Sequence, residues 1–86
     1  MLKVLKFSAA WCGPCQALKP AFEQVKSQIT DVMYVDVDVD SDSASTIKYN
    51  VNSVPTIVLE KDGVEVHRTK GVMPAAALAT LINSNK

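Results

Sequence analysis

The sequence predicts an α/β sandwich, in which helices pack against a mixed sheet. Three observations support this fold class. An apolar strand is followed by an amphipathic helix and a second strand, an order that implies a right-handed parallel crossover. A hairpin signal lies at Lys61-Asp62-Gly63, and an amphipathic helix closes the chain. The predicted order of elements is therefore β-α-β-α-β-β-α.

The first two elements have the clearest patterns. Residues 2–8 predict a strand with apolar side chains on both faces, which is typical of a central strand. Residues 13–29 predict a helix, because apolar side chains recur there at spacings of four, three and four residues. The residues of this stripe are Leu18, Phe22, Val25 and Ile29.

The later elements follow from shorter patterns. The predicted ranges are 32–37 for the second strand, 43–50 for the second helix, and 55–60 and 64–68 for the strands of the hairpin. Residues 41–43 offer side chains that could cap the second helix. Pro74 opens the last helix, in which Leu78, Leu81 and Ile82 share an apolar face.

Length and composition predict one small globular domain over residues 1–86. Hydrophobic residues make up 48% of the chain and charged residues 21%, which is typical of a folded soluble domain. Nine basic and nine acidic residues cancel, so the charge balance provides no attraction for nucleic acid or an anionic membrane. Neither a signal sequence nor a membrane span is evident. We therefore expect a cytoplasmic monomer.

Both cysteines of the chain lie in residues 11–15, Trp-Cys-Gly-Pro-Cys. A Cys-x-x-Cys motif in a βαβ pattern predicts a redox-active dithiol. Cys12 falls where a helix begins, so the positive end of the helix dipole would favour its thiolate, whereas we expect Cys15 to be less exposed. The alternatives are an inert disulfide or a metal half-site. Zinc requires four ligands, and the only other cysteine or histidine is the distant His67.

From residue 4 nearly to its end, the chain resembles the thioredoxins. The matching residues are Trp11-Cys12-Gly13-Pro14-Cys15, Pro20, Val54-Pro55-Thr56, Gly63 and Gly71. The resemblance implies a protein disulfide reductase that carries no cofactor and is recharged by a thioredoxin reductase. It also implies that Cys12 attacks disulfides in protein substrates and that Cys15 resolves the mixed disulfide.

A substrate groove beside the cysteines is also implied by the resemblance. Pro55 matches the cis-proline of the family, whose neighbouring backbone pairs with an extended segment of the substrate. The groove residues carried over by position are Trp11, Gly13, Pro14, Val54, Pro55, Gly71 and Val72.

The start of the chain departs from the usual thioredoxin pattern. Thioredoxins usually have an additional strand and helix before the strand that leads to the cysteines, and small archaeal or viral members have a similarly trimmed plan. The resemblance then implies a three-layer α/β/α sandwich with a four-stranded sheet of order 2-1-3-4, in which strands 1 and 2 are parallel. Val35 and Val37 are expected on or near a sheet edge.

The charges behind the cysteines are a second departure. Thioredoxins usually place a buried aspartate six residues before the first cysteine, facing a lysine, whereas this chain has Lys6 and Asp36 at these positions. A buried lysine needs a partner, and Asp36 on the adjacent strand is the candidate. A cation near the sulfurs favours thiolate, so we assign both residues to the catalytic set and expect Lys6 to stabilise the reduced form. Alternatively, Lys6 accepts the Cys15 proton or extends to solvent.

Three further alternatives concern function. The alternating carboxylates of residues 36–42 suggest calcium, but the run lacks the glycine and glutamate of a calcium loop, so we interpret it as an acidic, helix-capping loop. A glutaredoxin-like reductase recharged by glutathione would use the same chemistry. A non-catalytic accessory subunit would use the fold alone.

Overall fold

The computed structural model describes residues 1–86 and contains four strands and three helices. In chain order these are β1 (Leu2–Ser8), α1 (Gly13–Gln28), β2 (Met33–Asp38), α2 (Ser43–Lys48), β3 (Thr56–Lys61), β4 (Val64–Lys70) and α3 (Ala75–Ser84). The order is the predicted one, but α2 ends two residues early. Asn50 has a φ of 54°, in the left-handed region that stops a helix.

The sheet has the order β2-β1-β3-β4, which confirms the predicted topology. Strand β1 is parallel to β2 and antiparallel to β3, and β3 is antiparallel to β4. Strand β1 therefore has a neighbour on each side, and its apolar side chains are buried on both faces of the sheet. Strand β2 forms one edge of the sheet; Val37 there is buried, whereas Val35 is only partly covered.

The core lies on both faces of the sheet. On one face, helices α1 and α3 cover Val4 of β1 and Leu59 of β3. On the other face, Leu5 and Phe7 pack with Val37 and Val58. The segment from Tyr49 to Val51, which follows α2, covers this cluster. The alternation of side chains along β1 supplies both layers, and so the fold is a three-layer sandwich.

The acidic loop between β2 and α2 closes on itself through hydrogen bonds. Asp42 is the N-cap of α2 and accepts a hydrogen bond from the backbone N–H of Ser45 at 3.0 Å. The hydrogen bond from the Ser45 backbone, with a smaller contribution from the Ser45 side chain, holds the pKa of Asp42 below its usual range. Asp38 Oδ1 accepts from the backbone N–H of Asp40 at 3.0 Å. The carboxylates of Asp38 and Asp42 therefore serve the turn and the helix cap, as the sequence predicted.

Candidate active site

Both cysteines lie where β1 passes into α1. Cys12 is the N-cap residue of the helix, and Cys15 lies in its first turn. The backbone N–H of Cys12 donates to the carbonyl of Ala9 at 3.2 Å, which closes the turn after β1. Pro14 occupies the first turn of α1, where its missing N–H removes no helical hydrogen bond.

The two sulfurs are joined in a disulfide, with the Cα atoms 5.2 Å apart. Both residues are only 5% exposed, so the prediction that Cys15 is the less exposed of the two is wrong for the oxidised protein. The reason is that the segment before β3 covers Cys12. The Sγ atom of Cys12 lies 3.7 Å from the carbonyl oxygen of Val54, and Val54 and Val39 pack against both cysteines.

Two features at the start of α1 favour negative charge on Cys12 Sγ. The backbone N–H of Cys15 donates to Cys12 Sγ at 3.1 Å. The start of α1 adds the positive end of the helix dipole. Once the disulfide is reduced, the same N–H and dipole would stabilise a thiolate on Cys12, the nucleophilic form of the thiol.

The segment before β3 forms the wall opposite the cysteines. The Val54–Pro55 peptide bond is cis, and Pro55 is buried. The backbone N–H of Gly71, which follows β4, donates to the Pro55 carbonyl at 3.0 Å. Gly71 has a φ of 85°, a conformation that a residue with a Cβ rarely adopts. Val72 comes next and is half exposed.

Trp11 forms a second wall and is 69% exposed. Its indole Nε1–H donates to Asp40 Oδ2 at 2.8 Å, which holds the ring beside the acidic loop. A cavity of about 290 Å³ lies between Trp11 and Val54, and its lining is completed by Val39, Thr46, Val51, Asn52 and Ser53. None of these five residues, nor Asp40, was predicted for the site. An exposed tryptophan beside an acidic loop was the available signal for Asp40, since the indole N–H needs an acceptor.

The predicted groove residues fall into three groups. Trp11 and Val54 line the same cavity. Gly71 is tied to Pro55 by a hydrogen bond, and the half-exposed Val72 follows it. Gly13 and Pro14 are exposed in the first turn of α1, and Gly13 has open space where a Cβ would lie.

Lys6 and Asp36 form an ion pair behind this site. They are neighbours in the β1–β2 register, and the Lys6 Nζ lies 3.2 Å from Asp36 Oδ1. The Lys6 ammonium also lies 4.8 Å from the centre of the Phe22 ring, a cation–π distance. The Lys6 side chain is 9% exposed and that of Asp36 is 55% exposed. The alternative in which Lys6 extends to solvent is therefore wrong.

A second cavity, of about 330 Å³, has this pair and residues next to the cysteines in its lining. It is lined by Lys6, Ser8, Ala9, Ala10, Gln16, Lys19, Glu23, Asp36, Val37 and Asp38. Ala9 packs against both cysteines, and Gln16 follows Cys15 directly. Lys6 therefore lines the same cavity as residues that adjoin the two cysteines.

Residues 1–84 match the family model for thioredoxin. The chain belongs to the thioredoxin family. It is 38% identical to a thioredoxin of Mycoplasma genitalium over 81 residues, which are 94% of this chain and 79% of that protein. A thioredoxin of Chlamydia caviae is also 38% identical, over 98% of this chain and 82% of its own length.

Solved thioredoxin structures have the same fold. The thioredoxin of Fasciola hepatica is 39% identical and superposes with a TM-score of 0.91, covering 99% of this chain and 81% of that one. A mutant thioredoxin of Halobacterium salinarum is 41% identical with a TM-score of 0.88, over 96% of this chain and 73% of that one. With the Cys12–Cys15 pair, this family membership makes the protein a thiol–disulfide oxidoreductase. No helix has both the length and the apolar character needed to cross a bilayer.

Proposed function

We propose that this thioredoxin-family protein reduces disulfides in protein substrates and receives its electrons from a thioredoxin reductase. Cys12 is the attacking nucleophile and Cys15 the resolving thiol. The observation that carries this assignment is the position of Cys12 Sγ at the N-terminus of α1, where it accepts a hydrogen bond from Cys15 N–H at 3.1 Å. A thiolate is best stabilised at that position.

The reaction proceeds by two exchanges. In the reduced protein, the Cys12 thiolate attacks one sulfur of the substrate disulfide. The substrate S–S bond breaks, a mixed disulfide forms, and the departing thiolate takes a proton from solvent. Cys15 then loses its proton and attacks Cys12 Sγ, which forms the Cys12–Cys15 disulfide and releases the second substrate thiolate. Two electrons pass to the substrate, and the reductase returns two electrons to the oxidised protein.

The substrate is held by the groove around the cysteines. We assign this surface to Trp11, Gly13, Pro14, Val54, Pro55, Gly71 and Val72. Support comes from the 3.7 Å distance between Cys12 Sγ and the Val54 carbonyl. An extended substrate segment that pairs with the backbone beside Pro55 would place its own sulfur next to Cys12. Exposed Trp11 and Val72 offer apolar contacts to the same segment.

We also infer that residues 1–86 act as a cytoplasmic monomer that transfers electrons to protein substrates. The balance of nine acidic and nine basic residues supports the inference that neither nucleic acid nor an anionic membrane is a partner.

Insulin disulfide reduction with three separate electron sources tests this proposal. We expect activity with dithiothreitol and with NADPH plus thioredoxin reductase, but not with glutathione alone. Activity with glutathione alone would instead identify a glutaredoxin-like reductase. The matched control is the Cys12→Ser, Cys15→Ser double variant, which we expect to be inactive in every assay. If cells that carry only this double variant behaved like cells with the natural protein, the protein would instead be an accessory subunit that needs only the fold.

A further inference from the structure

Lys6 is the only charged residue that the fold buries. Its partner Asp36 lies at the sheet edge, and the exposed fractions of the two side chains are 9% and 55%. Solvent screens the exposed carboxylate strongly, whereas the buried ammonium is screened much less. The two charges of this pair therefore do not cancel inside the protein, and the interior side of the pair is positive.

That positive charge lies on a cavity that reaches residues next to the cysteines. Lys6 and Asp36 line the same cavity as Ala9, which packs with the two cysteines, and Gln16, which follows Cys15 in the chain. Lys19, Glu23 and Asp38, the other charged residues around this cavity, are exposed. Glu23 also has Lys26 at 4.0 Å. Among the charges around this cavity, Lys6 is thus the one that solvent screens least.

We propose that Lys6 sets the reduction potential of the Cys12–Cys15 pair by stabilising the thiolate of the reduced protein, and that Asp36 moderates this effect. The inference rests on the proposed function. Lys6 is a positioning residue in this role, because it acts on the sulfurs through its charge and does not touch the substrate. The disulfide carries no charge, so a cation favours the reduced state and raises the reduction potential.

The two partners should therefore have opposite effects. Replacing Lys6 by methionine keeps much of the side-chain volume but removes the cation, so the reduced form loses stability and the protein becomes more reducing. Replacing Asp36 by asparagine removes the moderating charge, so the protein becomes more oxidising. Lys6→Arg keeps the charge and should restore the behaviour of the natural residue.

Equilibration with reduced and oxidised glutathione measures these shifts. In this equilibrium two glutathione thiols reduce the Cys12–Cys15 disulfide and leave as one glutathione disulfide, so atoms and electrons balance. We expect Lys6→Met to lower the equilibrium constant for reduction about tenfold, which corresponds to a potential more negative by about 30 mV. Asp36→Asn should raise the constant by about threefold, a smaller change because that carboxylate is already screened. The ultraviolet absorbance of the thiolate should fall in Lys6→Met at neutral pH.

A merely structural role would give a different result. Loss of packing alone would destabilise the oxidised and reduced proteins equally, whereas our proposal requires the reduced protein to lose more stability, by the same tenfold factor. Equal constants for the natural protein, Lys6→Met and Asp36→Asn, or shifts in the same direction, would overturn the proposal. If Lys6→Met fails to fold, Asp36→Asn decides alone, because that residue is largely exposed. If neither dithiothreitol nor a thioredoxin reductase reduces the Cys12–Cys15 disulfide of the natural protein, the proposed function fails instead.

Discussion

Cys12 and Cys15 differ in what surrounds each sulfur rather than in how far each is exposed. Both residues are 5% exposed in the disulfide form. Only Cys12 caps the helix and accepts a backbone N–H, and only Cys12 lies next to the Val54 carbonyl. Electrostatics at the helix start therefore distinguishes the nucleophile from the resolving thiol.

Asp40 is the residue that positions the indole of Trp11. Its carboxylate accepts the Nε1–H at 2.8 Å. We expect Asp40→Ala to free the ring and to lower kcat/KM for insulin reduction about fivefold, which corresponds to roughly 1 kcal/mol for a lost hydrogen bond. Asp40→Asn is the matched control, because an amide oxygen can still accept the indole proton. Steady-state kinetics check this, and equal losses in the two variants would show that the charge matters rather than the hydrogen bond.

Helix α2 is held mainly by side chains from the hairpin. It has six residues, none of them buried, and so short a helix is not stable alone. The hydroxyl of Tyr49, its C-cap residue, donates to Glu60 Oε2 at 2.7 Å. The Arg68 guanidinium donates to the carbonyls of Tyr49 and Asn50. These contacts fix the segment that carries Val51 and Val54 toward the groove.

The Tyr49–Glu60 hydrogen bond predicts a pH dependence of stability. The hydrogen bond to Glu60, together with burial, raises the pKa of Tyr49 from 10.0 to about 12. A raised pKa means that the folded state holds the proton more tightly, so this contribution is fully present below pH 10.0 and is lost as pH rises toward about 12. Tyr49→Phe should lack this alkaline loss and should be about 1 kcal/mol less stable at neutral pH.

Urea unfolding of the oxidised protein at neutral and alkaline pH measures both effects. The difference in unfolding free energy between the natural protein and Tyr49→Phe should shrink as the pH rises. A constant difference across that range would mean that Tyr49 ionises equally in the folded and unfolded states. Glu60 keeps Lys3 as a partner at 3.6 Å in either protein, so the variant does not leave the carboxylate alone.

At the scale of the whole molecule, the site is assembled at one end of the sheet, where three strands begin or stop. The end of β1 leads to the cysteines, the start of β3 follows Pro55, and the end of β4 leads to Gly71. Because β3 runs antiparallel to β1 and β4 antiparallel to β3, the end of β1, the start of β3 and the end of β4 lie at the same end of the sheet. Chain segments far apart in sequence thus form one groove around Cys12.

Patterns of side chains along the chain were enough to predict the order of elements. Apolar residues on both faces of β1, such as Leu5 and Phe7, predicted a buried strand. The stripe through Leu18 and Phe22 predicted the buried side of α1, and all four side chains are buried. The early end of α2 could not be predicted, since it depends on the left-handed conformation of Asn50 and on the contacts of Arg68. Cys12 lies deeper than expected because Val54, distant in sequence, covers its sulfur.

The resemblance suggested seven groove residues, but not the other residues that line the cavity beside Trp11. The Lys6–Asp36 pair follows from adjacent strands in register, which a sequence can suggest. The cavity beside Trp11 depends on how α2 and the following segment pack, and so Val39 and Val51 were missed. Distances between loops depend on tertiary packing rather than on local pattern.

Identifying the cysteine that bonds to the substrate tests the central claim most directly. A Cys15→Ser variant cannot resolve the mixed disulfide, so after reaction with a protein disulfide it should remain covalently attached to the substrate. Mass spectrometry of the digested adduct should place that bond on Cys12, while Cys12→Ser should trap far less substrate. An adduct formed equally well by Cys12→Ser through Cys15, or no adduct with Cys15→Ser, would contradict the assignment of Cys12 as the nucleophile.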